Sequence, residues 1–224
     1  MLKKHLIAVG LFGLFSATSQ AQDLTITVTN LTHGIYFTPV ITAAHDADTA
    51  IFTTTEAASA ELEALAEGGD ISGVSGLLSV ANADVDENPA GGLLAPASST
   101  AFSLSNSSGN DYLSVAAMML PTNDAFIGVD SWEIPTETGT YTIYLNAYDA
   151  GTEANDELIT SIPAAPGGDA GTGGSGVTED ISNANVHIHP GVLGDDNLEG
   201  GISDLDSSVH RWLNPVAKLT VVVE

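Results

Sequence analysis

The sequence predicts an all-β fold, an antiparallel β-sandwich with one short helix and long acidic or glycine-rich loops. Seven or eight short segments are rich in β-branched residues or alternate apolar and polar side chains, as strands with one buried face do. Turn-forming Gly, Pro, Asn and Ser residues separate these segments, and no repeat of fixed period is present. About 200 residues bury enough surface for one stable domain.

The predicted strands start directly after the N-terminal segment. Residues 23–30 alternate Leu, Ile and Val with Thr, and residues 34–44 contain Pro39, which indicates an edge or a bulge. The other predicted strands are also short and apolar or alternating: residues 112–120, 125–129, 139–148, 184–189 and 215–223. Because the first and last strands are long and regular, we expect them to pair in one sheet.

One helix is predicted over residues 55–68, where Ala and Leu recur every three or four residues and Gly68-Gly69 supplies a stop. Residues 70–111 are interpreted as rich in loops, and 191–208 as an acidic, glycine-rich loop. Residues 151–180 include the run GGDAGTGGSG at 167–176, which predicts a flexible excursion within the domain.

Residues 1–21 have the layout of a secretory signal peptide, with Lys3 and Lys4 before the apolar run LIAVGLFGLF and a cleavage site at Ser19-Gln20-Ala21. The apolar run is too short to span a bilayer. We therefore expect residues 22–224 to form the mature domain and to be secreted, into the periplasm or the medium. The chain has no cysteine, which excludes disulfides, cysteine-bound zinc and a lipoprotein anchor.

The chain has 29 acidic and four basic residues, for a net charge of −25. Outside the predicted signal peptide, the basic residues are Arg211 and Lys218 alone. This balance argues against nucleic-acid binding, because almost nothing is available to neutralise phosphates. A hydrophobic fraction of 43% argues against disorder. The charge therefore suits solubility at high ionic strength or the binding of cations.

Two segments carry a family resemblance. Residues 121–131 read PTNDAFIGVDS, and residues 146–153 end a predicted strand with NAYDAGTE. They resemble the spondin N-terminal domain family, which has an S-P-D-W-F-V-G-type segment and then a strand ending in W-D-A-G-T-D. Residues 31–46, 56–70 and 200–221 look like its bacterial secreted members. The sequence departs from the motifs at Ala125, Tyr148 and Glu153.

The resemblance implies a C2-like β-sandwich that binds one calcium ion, in a family whose animal members are matrix and adhesion proteins. The leading ligand candidates are Asp124 and Asp149, since Ca²⁺ takes six to eight oxygen ligands and Gly151 lets the strand-end turn curl around an ion. The family's layout adds the carbonyl of Asn146, with Asp130 and Glu153 as weaker ligands. The alternative is an aspartate that caps a turn with its own side chain.

Other acidic segments are weaker cation candidates. The strings that start at Asp84 and Asp204 resemble calcium loops of the EF-hand type, but both lack the glycine at position six and the glutamate at position twelve. We predict solvated turns at both places. Residues 195–206 stay a candidate for a loosely bound second cation.

The basic residues and histidines suggest two further hypotheses. Arg211 follows Asp204 and Asp206 closely, which predicts a buried ion pair; the alternative is an arginine that binds an anionic ligand. His187 and His189 lie on one face of a predicted strand and would form a transition-metal site with a third histidine. The alternative is a structural role, in which these rings bond backbone carbonyls.

We expect a non-enzyme, because no nucleophile elbow and no glycine-rich phosphate loop with a lysine is present. The predicted function is a secreted calcium-binding module that contacts a cell-surface or matrix partner, protein or polysaccharide. The alternative is a metal-dependent hydrolase or redox enzyme that uses the histidine set His33, His45, His187, His189 and His210.

Overall fold

The computed structural model describes residues 21–166, 181–197 and 200–224. Residues 1–20 of the predicted signal peptide and the predicted excursion at 167–176 lie outside these residues. The described residues form ten strands and two short helices, which confirms the all-β class. The strands are β1 (Gln22–Asn30), β2 (Tyr36–Phe37), β3 (Ile41–His45), β4 (Asp84–Glu87), β5 (Ser99–Asn106), β6 (Tyr112–Leu120), β7 (Ala125–Glu133), β8 (Gly139–Asp149), β9 (His187–Ile188) and β10 (Ala217–Val223). The helices are α1 (Ala60–Gly68) and α2 (Ser72–Val80).

The strands form one nearly closed antiparallel sheet in the order β4-β3-β6-β7-β8-β10-β1-β5, to which β2 adds at β6 and β9 at β8. The first and last strands pair, as predicted. Strand β8 is the corner, since residues 139–145 pair with β10 and residues 146–149 pair with β7. The two edges approach each other where Asp84 of β4 accepts hydrogen bonds from Ser107 (2.8 Å) and Asn110 (2.8 Å).

Two cores hold the sheet. The larger core lies inside the sandwich and takes the inward residues of the alternating strands, such as Ile26 and Val28 of β1 and Leu219 and Val221 of β10. The smaller core lies on the outer face of β3, β6 and β7, where both helices pack. Its members include Ile41, Leu62, Leu65, Val74, Leu78, Ala116 and Phe126.

The helical region differs from its prediction. Helix α1 begins at residue 60 and not 55, because Thr55 has a positive φ (73°) and Ser59 is the N-cap, whose side chain accepts the N–H of Leu62. It ends as predicted, with Gly69 in the left-handed conformation. Helix α2 was not predicted, since two glycines and three serines lower its helix propensity. Packing of its buried side chains against α1 and the sheet outweighs that propensity. No helix within the described ranges is long and apolar enough to cross a membrane.

Three strand predictions also change. Residues 70–111, interpreted as rich in loops, contain β4 and β5. The predicted strand 34–44 is interrupted at residues 38–40, around Pro39, and splits into β2 and β3. The predicted strand 184–189 shortens to β9. The strands around the candidate site, β6, β7 and β8, are present, although β7 extends four residues beyond its prediction.

Candidate cation site

The predicted calcium ligands Asp124 and Asp149 come together at one end of the sheet. The turn between β6 and β7 ends at Asp124, and β8 ends at Asp149. Because β7 and β8 are antiparallel neighbours, Ala125 lies opposite Asp149 in the register. The N–H of Ala150 donates to the carbonyl of Asp124 (3.2 Å). Both carboxyl-bearing residues are buried, with exposed fractions of 0% and 2%.

Asp124 is buried with its two oxygens in unequal surroundings. Its Oδ2 accepts hydrogen bonds from the N–H of Thr152 (2.8 Å), the N–H of Glu153 (3.1 Å) and the hydroxyl of Thr152 (3.3 Å). Its Oδ1 is buried and has no hydrogen-bond partner among the described residues. Burial, and then the charge of Asp149, raise the pKa of Asp124 to about 6, although its hydrogen bonds oppose that rise.

Asp149 caps its own turn, the alternative role considered for it, and also faces neighbouring side chains. Its Oδ1 accepts the N–H of Gly151 (2.8 Å), so the side chain caps its own turn. Its Oδ2 accepts a hydrogen bond from Nδ2 of Asn155 (2.6 Å) and faces the Nε2 atoms of His187 (3.8 Å) and His189 (4.0 Å). The carboxylate of Asp149 is therefore bonded within the turn and also faces Asn155 and the two imidazoles.

Further acidic groups surround the two aspartates. Glu153 is also buried, with an exposed fraction of 3%. Glu67, in the last turn of α1, reaches the same turn from the helical side. The pKa of Glu67 is raised, mainly by burial and also by the charge of Glu63. Hydrogen bonds to Thr152 and Glu153 oppose that rise. Carboxyl groups from the sheet and from α1 thus meet at the Asp149–Glu153 turn.

An open cavity of about 330 Å³ adjoins these residues. Asp149, Glu153, Asn155, Asp156 and His187 contribute the polar side chains next to the turn. No lysine or arginine is among the described residues that line it. Among the described lining residues, the cavity therefore gathers carboxylates that no lysine or arginine compensates.

Two predicted ligands lie elsewhere. Asp130, on β7, accepts hydrogen bonds at Oδ1 from the N–H of Ile51 (2.7 Å) and from the hydroxyl of Ser114 (3.3 Å). Its carboxylate therefore fastens the loop at residue 51 to the sheet. Asn146 lies opposite Gly128, three residues before Asp149 on β8, which puts roughly 10 Å of strand between them. The structure brings neither residue to the other candidate ligands.

The histidines do not assemble as a set of five. His33 is exposed, and the buried His45 bonds the carbonyl of Asp46 and the hydroxyl of Ser114 (both 2.7 Å). His210 accepts the N–H of Asp206 at Nδ1 (3.0 Å). Of these five histidines, His187 and His189 approach Asp149. Across the described ranges, no three His, Asp or Glu side chains are arranged to hold a metal ion as they stand.

The predicted buried pair of Arg211 with Asp204 or Asp206 does not form. Arg211 is exposed, and the described residues show no ion pair that includes it. Backbone N–H groups occupy the carboxylates instead: Ile159 donates to Asp204 (2.7 Å) and Ser208 to Asp206 (2.7 Å). Hydrogen bonding to N–H groups satisfies a carboxylate without requiring a long side chain to be ordered.

The candidate loop 195–206 follows the same pattern in its described part. Asp195 accepts the N–H groups of Asn197 (2.9 Å), Ile202 (2.9 Å) and Ser203 (3.2 Å), which lower its pKa. Three backbone donors therefore already reach its carboxylate. The acidic side chain therefore shapes the loop itself.

The residues missed by sequence reasoning are those that join the turn to distant segments. Asn123 accepts the N–H of Glu157 (3.2 Å) and donates to Asp156 (3.0 Å). Glu157 is buried and accepts the N–H groups of Leu193 (2.6 Å) and Gly194 (2.8 Å). The polar run Asn155-Asp156-Glu157, directly after the strand-end turn, was a signal for part of this network. Glu67 gave none, because it looks like any exposed helix residue.

The fold and the cluster of carboxylates at the end of β8 define a class of protein. It is an all-β, sandwich-like domain with an acidic cluster where neighbouring strands end. The sequence model of the spondin N-terminal domain (Spondin_N) matches residues 18–164, well over half of the chain. The chain belongs to the spondin N-terminal domain family, which confirms the resemblance of its motifs. None of the curated proteins matches it. The family suggests an extracellular module of the binding or adhesion type and is not a family of enzymes.

Proposed function

We propose that the chain is a secreted, calcium-stabilised module that binds a cell-surface or matrix partner, either a protein or a polysaccharide. The calcium assignment depends on one observation at Asp124. Its buried Oδ1 has no hydrogen-bond partner among the described residues, and the carboxylate of Asp149 lies nearby. An unpaired buried carboxylate is costly unless a cation or a proton compensates it. The described residues that line the adjoining cavity include no arginine or lysine.

The donor atoms fit calcium by their chemistry. The carboxylates of Asp124, Asp149 and Glu153 supply oxygens, and the open cavity admits water for the rest of the coordination shell. All three lie within the segment that matches the family model. The nearby imidazoles do not offer the set of three nitrogen donors typical of catalytic zinc. The family, which is not one of enzymes, supports the expectation of a non-enzyme.

Calcium would cross-link the β6–β7 turn to the end of β8. The ligand candidates come from the β6–β7 turn and the end of β8, and the charges of both repel each other in its absence. A divalent ion removes that repulsion and holds the loops at this end in one arrangement. A rigid loop surface binds a partner with less loss of conformational entropy. Calcium would therefore favour adhesion by holding the binding loops rigid.

Thermal unfolding in calcium, EDTA and sodium tests the proposal. Millimolar calcium is expected to raise the melting temperature by about 5–10 °C over EDTA, since ligand at 100 times its dissociation constant adds about 2.7 kcal/mol. Sodium chloride at matched ionic strength controls for general screening of the 29 acidic residues. An unchanged melt, with no bound ion by elemental analysis, contradicts the proposal. So does a sodium effect as large as the calcium effect.

Export and binding have their own tests. Expressed from its full sequence, the secreted chain is expected to have lost residues 1–21, which intact mass spectrometry measures. Immobilised protein is expected to retain cell-wall or matrix material in calcium and to release it in EDTA. A chain that stays inside the cell with residues 1–21 still attached argues against secretion. Retention of the material that EDTA leaves unchanged argues against calcium-dependent adhesion.

A further inference from the structure

A chain of hydrogen bonds connects the backbone of Gly191 to Asp149. The N–H of Gly191 donates to Nδ1 of His189 (2.9 Å), and Nε2 of His189 lies 3.2 Å from Oδ1 of Asn155. Nδ2 of Asn155 in turn donates to Oδ2 of Asp149 (2.6 Å). His189 is only 4% exposed, so little water reaches it.

The direction of each bond follows from the chemistry of the groups. A backbone N–H only donates, so Nδ1 of His189 must carry the lone pair and Nε2 the hydrogen. That hydrogen can be accepted by Oδ1 of Asn155, which leaves the amide nitrogen of Asn155 facing Asp149. Each member therefore holds the next in one orientation.

The same logic separates the two neighbouring histidines. Nδ1 of His187 donates to the carbonyl of Asn185 (2.8 Å), which leaves a lone pair on its Nε2. His189 has its only lone pair occupied by Gly191 and offers none to a metal ion. The His-x-His pair is therefore not a two-imidazole metal site, although both rings face Asp149.

We infer that His189 is a positioning residue of the cation site: through Asn155 it fixes the carboxylate of Asp149 at the cavity. The inference rests on the proposed calcium function and extends it to the C-terminal part of the chain. His189, Gly191 and Trp212, whose ring packs 5.1 Å from that of His189, all lie outside the segment matched by the family model. Residues beyond the matched segment thus tune calcium affinity.

Calcium titration calorimetry on the full mature chain tests this role. His189→Ala and Asn155→Ala are each expected to raise the calcium dissociation constant about 10–100-fold, the usual effect of losing a group that orients a metal ligand. The double variant is expected to bind no more weakly than the weaker single variant, because both changes break the same chain. The control is His45→Ala, which also removes a buried, hydrogen-bonded histidine. It is expected to leave the constant within about twofold.

A conservative pair separates positioning from packing. His189→Gln keeps an N–H near the place of Nε2 and is expected to recover most of the affinity. His189→Asn mimics Nδ1 instead and is expected to recover none. These variants also serve if His189→Ala fails to fold. Equal affinities of the Gln and Asn variants would overturn the positioning role.

A metal-free measurement completes the test. In EDTA at pH 7, ¹⁵N NMR of the imidazole is expected to show His189 with hydrogen on Nε2 and none on Nδ1. The opposite tautomer, or a His189→Ala variant that binds calcium like the wild type, overturns the positioning role and leaves the calcium function standing. A wild-type chain that binds no calcium overturns both.

Discussion

At the scale of single residues, Asp124 is the group that most needs a partner. It is fully buried, one oxygen has no hydrogen-bond partner in the described chain, and Asp149 adds a like charge. A carboxylate in this position is neutralised either by a proton or by a cation. The two outcomes have opposite dependence on pH, which makes them separable by experiment.

Replacement of the Asp124 carboxylate tests its role directly. Asp124→Asn keeps an oxygen for the backbone N–H groups and removes the buried charge. In EDTA at pH 7 we expect the free energy of unfolding to rise by about 1–3 kcal/mol, and the stabilisation by calcium to disappear. Urea unfolding measures both. Asp48→Asn, at an exposed aspartate, is the matched control and is expected to change neither. A variant that keeps the full calcium effect refutes the assignment.

The pH dependence of the metal-free protein follows from two opposing shifts. The pKa of Asp124 is raised to about 6, so its protonation favours the fold as the pH falls below 6. Burial lowers the pKa of His189 to about 4, so the stability that its neutral ring contributes above 6.5 is lost as the pH falls towards 4. From pH 7 to 5 in EDTA, wild type should lose about 1 kcal/mol less stability than Asp124→Asn. Equal losses in urea titrations would exclude the raised pKa.

Gly151 shows how one residue without a side chain shapes the site. It has a φ of 73°, and a Cβ there would lie 2.7 Å from the carbonyl oxygen of Asn183. Gly151→Ala is expected to destabilise the protein by about 2–4 kcal/mol, from backbone strain and the clash with the segment that leads to β9. Gly76→Ala, on α2 with open space around it, is the control and is expected to stabilise by about 0.5–1 kcal/mol. Unfolding curves that rank the variants the other way would contradict this account of the turn.

At the scale of elements, strands with an alternating or continuous apolar pattern were predictable, and helix α2, which depends on packing, was not. Strand β1 alternates Leu, Ile and Val with polar residues, and β10 does so from Lys218 to Val221, so the period of two was visible. Helix α2 reads SGVSGLLSV, a weak helix by propensity, and forms because Val74 and Leu78 bury against α1 and the sheet. Tertiary packing of this kind leaves no local signal in the sequence.

The C-terminal loop depends on one buried acid from another segment. Glu157 accepts the N–H groups of Leu193 and Gly194 and the hydroxyl of Ser203 (2.6 Å). Glu157→Gln places an amide among these donors and is expected to cost about 1–3 kcal/mol. Hydrogen exchange at the amides of Leu193 and Gly194 should become at least about tenfold faster. The exposed Glu137→Gln serves as the control. Unchanged exchange in Glu157→Gln would mean that the loop is held by other contacts.

At the scale of the whole molecule, the charge of −25 divides into several roles. Some acids build loops by accepting hydrogen bonds that lower their pKa. Asp195 accepts backbone N–H groups, and Asp206 accepts the hydroxyl and then the N–H of Ser208. Others gather at the end of β8 next to an open cavity. The composition predicted a capacity for cations, but only the antiparallel register of β7 and β8 places Asp124 beside Asp149.

The candidate site was predictable where its residues lie in a motif. The turn after β8 and the turn before β7 carry family motifs, which identified Asp124, Asp149 and Glu153. The contributions of Glu67, Asn155 and His189 depend on contacts between distant segments, which spacing along the chain does not encode. The ion pair expected at Arg211 does not form for a related reason. The carboxylates of Asp204 and Asp206 accept backbone N–H groups instead.

The most direct test of the account is a calcium titration of the mature chain at physiological ionic strength, compared with Asp124→Asn and Asp149→Asn. We expect one calcium ion per wild-type chain, lost in both variants and retained in Asp48→Asn. Several weak and equivalent ions that both site variants keep would show that calcium screens only the general negative charge. That result, or no binding at all, would contradict the central claim.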